Sequence, residues 1–251
     1  MDRQPEDHAS LEAALAAERE ARQAFVSLVT HELRIPMTAI KGYADLLLKG
    51  IVGPINETQA SFLKTIQSNV ERMSGLVSDL SDINKLDSQQ LVLDCEAVSP
   101  AVAIEEALEM LAATRQAKVQ TLHNMVPKTV PPVWADRTRL VQVLHTLLKN
   151  ATQYTPEGGV ITIIADIDPV DTAHLRITVQ DTGIGILAEA QAHIFEMFYR
   201  APDAQTRETP GNGLSLHLAQ RLVALNQGRL TFESKRDHGS SFYLTLPIVT
   251  S

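Results

Sequence analysis

Between Leu63 and Leu86 the apolar residues fall at Leu63, Ile66, Val70, Met73, Val77, Leu80, Ile83 and Leu86, in steps of three or four. Such spacing lines one face of a helix, whereas a strand would scatter the same residues over both faces. The alanine-rich stretch before it, from Leu11, carries a matching feature: Ala14, Ala21, Leu28 and Ile35 recur at seven, with Leu11, Ala17, Ala24 and Phe25 near the same stripe. This pattern predicts a long helix, bent at Pro36 and stopping at Gly50, because proline removes an amide donor and glycine ends helices readily. G-I-V-G-P-I-N-E then connects it to the second helix. Two helices cannot cover both stripes, so residues 11–88 are expected to form a hairpin that dimerises into a four-helix bundle. The alternative is a monomer whose hairpin packs on the rest of the chain.

The pattern changes after residue 88. Residues 89–98 read as a linker, 99–251 as a second domain, and the polar residues 1–10 as a flexible N-terminus. Residues 101–115 and D-R-T-R-L-V-Q-V-L-H-T-L-L-K-N-A are helical by pattern, with Asp136 a candidate N-cap of the latter. V-Q-T-L-H-N-M-V, G-V-I-T-I-I-A-D-I, A-H-L-R-I-T-V-Q-D, R-L-T-F-E-S and S-S-F-Y-L-T-L-P read as strands, and L-S-L-H-L-A-Q-R-L-V-A-L-N as a helix. Their sum is an α+β two-layer sandwich with a mainly antiparallel sheet.

A net charge of −8 argues against a nucleic-acid-binding face, and no segment approaches the length and apolarity of a membrane span. One cysteine, Cys95, excludes an internal disulfide and fits a reducing, cytoplasmic setting. The eight histidines show no metal-ligand spacing.

Four segments carry chemistry. D-T-G-I-G-I (181–186) follows a strand: a carboxylate there can accept from an exocyclic amine, and its glycines let backbone approach a flat ring. A turn alone would also want those glycines. G-N-G-L-S-L (211–216) places glycines ahead of a helix start, where amide groups can bind phosphate, although a plain loop reads the same way. Asn150 lies inside a helix that it weakens, and its amide oxygen is a possible Mg²⁺ ligand or merely a surface group. H-E-L-R-I-P-M-T sets His31 beside Glu32 and five residues before a proline.

In this order the segments resemble the boxes of sensor histidine kinases, whose catalytic domain shares the ATP-binding fold of gyrase and Hsp90-type ATPases. F-V-S-L-V-T-H-E-L-R-I-P-M-T-A-I-K-G-Y-A-D-L-L-L looks like their H box, H-I-F-E-M-F-Y-R like the F box, and H-G-S-S-F-Y-L-T-L-P like the closing segment, so that the likeness covers about residues 20–248. The resemblance implies a protein-histidine kinase using ATP and Mg²⁺. His31 would be the phosphoacceptor and Glu32 would orient it or take its proton. Asn150 would hold Mg²⁺, Asp181 would contact the adenine amine, and Gly183 and Gly185 would shape that pocket. Gly211, Gly213 and Leu214 would sit by the phosphates under a mobile lid spanning about 187–210, and Arg200 and Tyr154 would line the site. The expected partners are a second copy of the chain, a receiver domain on a separate response regulator, and an upstream sensor domain or protein.

The sequence departs from the family pattern at four positions. Ile35 stands where Thr or Asn is usual, so phosphatase activity is expected to be weak, because an alkyl chain cannot hold a water. Thr146 replaces Asn, Gln153 replaces Lys, and Ser215 replaces a glycine whose loss matters only if that position needs positive φ. A degenerate kinase acting as a scaffold is therefore the alternative. A gyrase-type ATPase is a third reading, but it leaves the His31 hairpin without a role.

Overall fold

A computed structural model describes residues 4–203 and 211–249. The chain divides after Leu91 into two compact units.

The first unit is a pair of helices, α1 (Gln4–Leu48) and α2 (Glu57–Asp87). Pro36 lies inside α1, where it denies the Glu32 carbonyl its usual amide partner. N-E-T-Q starts α2 as a capping box: Asn56 Oδ1 accepts from the Gln59 amide at 2.8 Å, and Gln59 Oε1 accepts from the Asn56 amide at 2.9 Å. Across the hairpin, Lys41 pairs with Glu71 at 3.0 Å, Gln67 donates to Asp45, and Asn84 Nδ2 donates to the Gln23 carbonyl at 3.0 Å.

The inner seam of α1 is Thr30, Met37 and Ala44, all buried, and Met37 packs with Val70 and Val77 of α2. Leu28 and Ile35, from the seven-residue stripe, point outward, as do Ile66 and Met73 of α2. Phe25, Tyr43 and Phe62 are also about two-thirds exposed, at 66%, 68% and 65%. One hairpin therefore covers about half of its apolar residues.

The second unit is built on a five-stranded sheet in the order β2 (Thr121–Asn124), β4 (Val160–Ile167), β5 (His174–Asp181), β7 (Ser240–Pro247), β6 (Arg229–Ser234). Only the β2–β4 pair is parallel. One sheet face presents Ile161, Ile163, Leu175, Ile177, Val179, Leu244 and Leu246, all buried. The core is completed by α3 (Pro100–Glu109), α5 (Arg137–Tyr154) and α7 (Ser215–Leu225), which bury Ile104, Leu144, Leu147, Leu148 and Leu222. The other sheet face is polar, with Arg176 over the Tyr243 ring and the Tyr243 hydroxyl donating to Glu233.

Three details differ from the sequence reading. Cys95–Val98, in the stretch read as linker, forms strand β1 and pairs antiparallel with β3 (Val133–Asp136), which the sequence reading missed. Both have four residues, too few for alternation to register. The helix expected over 101–115 is broken into α3 and a short α4 (Ala112–Ala117). Helix α1 is already formed at Gln4, inside the stretch read as a flexible N-terminus.

Candidate functional site

His31 and Glu32 lie in the helical unit, and the nucleotide candidates all lie in the sheet unit. The His31 ring projects from α1 with 68% of its side chain exposed, and its Nδ1 faces Glu32 Oε1 at 3.3 Å. A carboxylate beside Nδ1 favours the tautomer protonated there, which leaves Nε2 with its lone pair toward solvent.

In the sheet unit the candidate residues come together around the C-terminal end of α5. Its side chains repeat on one face every three to four residues, so Asn150 and Tyr154 share a face one turn apart. The Tyr154 carbonyl accepts from the Ile184 amide at 3.2 Å, which joins the helix end to the turn after β5. Asp181, 7% exposed, ends β5. Its carboxylate accepts from the Gly183 amide at 2.8 Å, and the Ser240 amide also donates to it. Burial pushes the Asp181 carboxyl up to about 6, against the pull of these two amides. A methyl group on Gly183 would lie 2.5 Å from the Tyr154 carbonyl oxygen. Gly185 has φ +65° and runs against the Lys235 carbonyl, so neither its conformation nor its surroundings accept a side chain.

Arg200 links the remaining pieces. Its guanidinium hydrogen-bonds the Tyr154 hydroxyl, and Nη1 donates to the Gly211 carbonyl at 3.2 Å. Burial raises the Tyr154 phenol, and the adjacent Arg200 charge opposes that rise. The Phe198 amide donates to the Gly213 carbonyl at 2.9 Å, and His217 Nδ1 meets the Phe195 carbonyl at 2.9 Å. The segment 195–200 is thereby fastened to the glycine loop and to the first turn of α7. Leu214 is the buried N-cap of α7, and it supplies no side-chain acceptor to the helix start. The lid expected over about 187–210 is described as far as residue 203 and includes a short helix, α6 (Ala188–Gln191); residues 204–210 lie outside the described residues.

Two of the departures from the family pattern now have a geometry. Thr146 donates its hydroxyl to the Gln142 carbonyl of its own helix at 3.0 Å. Ser215 is the first residue of α7 and is helical, without positive φ, so a serine costs little there.

Sequence reasoning missed three supports. Gly239, with φ +86°, lies so close to the Asp181 carbonyl that any Cβ would collide with it. Arg236 pairs with Asp203 and ties the end of the lid segment to the β6–β7 turn. Lys118 and Gln120 donate to backbone carbonyls at the end of α5. The D-H-G triplet could have pointed to Gly239, but nothing local in the sequence marks the other two.

Comparison with known proteins identifies the family of each unit. Residues 21–89 match the family model for the His Kinase A (phospho-acceptor) domain, and residues 135–250 match that for the histidine kinase-, DNA gyrase B- and HSP90-like ATPase. Hybrid signal transduction histidine kinase A of Dictyostelium discoideum is 33% identical over 91% of this chain and 11% of that protein. Sensor histidine kinase WalK of Bacillus subtilis is 31% identical over 90% of this chain and 36% of its own length. Among solved structures, full-length ShkA in complex with AMPPNP superposes with a TM-score of 0.73 at 25% identity, over 91% of this chain and 46% of that one. The chain thus spans roughly a tenth to a third of the curated relatives named here.

Proposed function

Because the chain belongs to the sensor histidine kinases, carrying their phosphoacceptor and ATPase domains in sequence, we propose that it phosphorylates His31 from Mg·ATP and passes the group to an aspartate of a separate receiver domain. The observation that carries this reading is the exposed His31 ring, with Glu32 on its Nδ1 side. Nε2 attacks the γ-phosphorus, the bond from that phosphorus to the β,γ-bridging oxygen breaks, and ADP leaves. The Nδ1 proton, made acidic by phosphorylation of the ring, passes to Glu32 or to solvent. In the sheet unit, Asp181 accepts from the adenine amine in the pocket shaped by Gly183 and Gly185, and Tyr154 lines it. Arg200 and the amides around Gly211, Gly213 and Leu214 take the phosphates.

Asn150 is the residue that would hold Mg²⁺, which supplies charge neutralisation between the phosphates. An amide oxygen on the Tyr154 face of α5 suits that ion, since Mg²⁺ at a nucleotide takes few protein ligands and keeps several waters. No cluster of three or more acidic, histidine or cysteine ligands exists among the described residues, and this mode of binding requires none. Catalysis here is chiefly positioning and charge neutralisation.

The outward apolar face of the hairpin fits a homodimer, and α1 is the natural route for a signal from a sensor domain or partner. Thr146, bonded to its own helix, favours a second reading in which the chain is a slow or inactive kinase that scaffolds signalling. One experiment separates the two: incubate the protein with γ-labelled ATP and Mg²⁺ beside His31→Gln. Acid-labile, base-stable label that requires His31 is the expected result. Nucleotide binding without label would assign the scaffold role.

A further inference from the structure

We propose that Lys118 is a positioning residue for the nucleotide, its ammonium group clamping the C-terminal turn of α5 that carries Asn150 and Tyr154; this rests on the reading of that turn as an ATP site. The last carbonyls of a helix have no partners within it and need donors from elsewhere. Helix α5 has no basic residue in its own last turn to supply them. Lys118, in the loop before β2, reaches over instead. Its Nζ donates to the carbonyls of Thr152 and Gln153, each at 2.8 Å, and of Thr155 at 3.2 Å. Gln120 Nε2 donates to Thr152 and Thr155 at 3.0 and 2.7 Å. The remaining carbonyl of the turn, that of Tyr154, is taken by the Ile184 amide.

All four terminal carbonyls are therefore satisfied, three of them through one cation and one directly by the adenine-side turn. The arrangement has little freedom. The Gly158 amide returns to the Lys118 carbonyl at 3.3 Å, so the strand lead-in and the turn after α5 hold each other. Loss of the ammonium would remove one donor from each of the carbonyls of Thr152, Gln153 and Thr155, two of which Gln120 also serves. The turn would then relax, and with it the Tyr154 carbonyl that fixes Ile184 and the Gly183–Gly185 turn. Lys118 touches no substrate in this scheme and acts through the helix end.

The test compares the wild-type chain with Lys118→Met and Lys118→Arg. Three quantities are read: the dissociation constant for Mg·ATP, the rate of His31 labelling at saturating ATP, and hydrogen exchange at the Ile184 amide without nucleotide. Lys118→Met is expected to weaken ATP binding about tenfold while leaving the saturated labelling rate within about twofold, and to speed Ile184 exchange about tenfold. Lys118→Arg, which keeps a cationic donor, is expected to recover most of both losses. The proposal is overturned if Lys118→Met binds ATP as the wild type does, or if Ile184 exchange is unchanged in it. Equal losses in the Met and Arg variants would also overturn it, since those would report damaged folding and not a missing donor. A wild-type chain that binds no ATP would instead bring down the underlying assignment of the site, and the proposal with it.

Discussion

At the scale of single residues, burial and the proposed contact with the adenine amine pull Asp181 in opposite directions. Its burial favours the neutral acid, whereas the carboxylate is the stronger acceptor for an amine. The folded group titrates at about 6, above its ordinary value of 3.8. The folded state therefore binds the proton more tightly, and the stability of the domain falls as pH rises through that window. The charged form at neutral pH costs on the order of 3 kcal/mol. Asp181→Asn should accordingly raise the thermal midpoint at pH 7.5 and lose that advantage near pH 4, while binding ATP at least tenfold more weakly. Calorimetry and nucleotide titration across that range check both halves. ATP affinity of the wild type should also fall as pH drops below about 6, where the acceptor is protonated. Ile35, 59% exposed and one turn beyond His31, presents only carbon where water would need a partner. Ile35→Thr is expected to raise dephosphorylation of a phosphorylated receiver several-fold, measured by loss of label from that partner. His31, Asp181 and the paired glycines stood out in the sequence as candidates because each sits in a short local pattern. Lys118 did not, because its partners lie 34 to 37 residues away along the chain and are backbone carbonyls, which no residue type announces.

At the scale of elements, the two helices of the hairpin and the long strands were legible because their periods run for many residues. Strands β1 and β3 were not, at four residues each. Asp136 was anticipated as a cap and is one, its Oδ1 accepting from the Arg139 amide at 3.1 Å. The seven-residue stripe of α1 was assigned to a partner-facing seam, and Leu28 and Ile35 do face outward. The sequence did not disclose the inner seam, since Thr30 and Ala44 are unremarkable by composition; Thr30 satisfies its hydroxyl on the Ser27 carbonyl. Pro36 breaks the hydrogen-bond ladder one turn after His31. Pro36→Ala should restore a bond to the Glu32 carbonyl and stabilise the hairpin by up to about 3 kcal/mol. The measurement is the melting midpoint of the hairpin, with His31 labelling followed in parallel; labelling is expected to slow as the helix stiffens.

At the scale of the whole molecule, the division after Leu91 puts the proposed phosphoacceptor and the proposed nucleotide residues in separate units. The helical unit leaves Phe25, Leu28, Tyr43, Phe62 and Met73 exposed, a concentration of large apolar side chains that suits a partner surface. Phe25→Glu with Leu28→Glu is expected to shift the protein from dimer to monomer in sedimentation velocity. Nucleotide binding, a property of the other unit, should be unchanged. The α+β class of the second unit was readable from its order of periods, but the strand order β2-β4-β5-β7-β6 was not, because strand pairing depends on contacts distant in sequence. Lys118 sits among the carbonyls of Thr152, Gln153 and Thr155 at the end of α5. Three carbonyl oxygens around one positive centre are a coordination cage of the kind that could otherwise recruit a sodium or potassium ion. Here the cage is filled by a cation covalently leashed to the chain, which neither dialysis nor a change of electrolyte can exchange. The proposed nucleotide pocket should therefore keep its shape whichever alkali metal the surroundings supply.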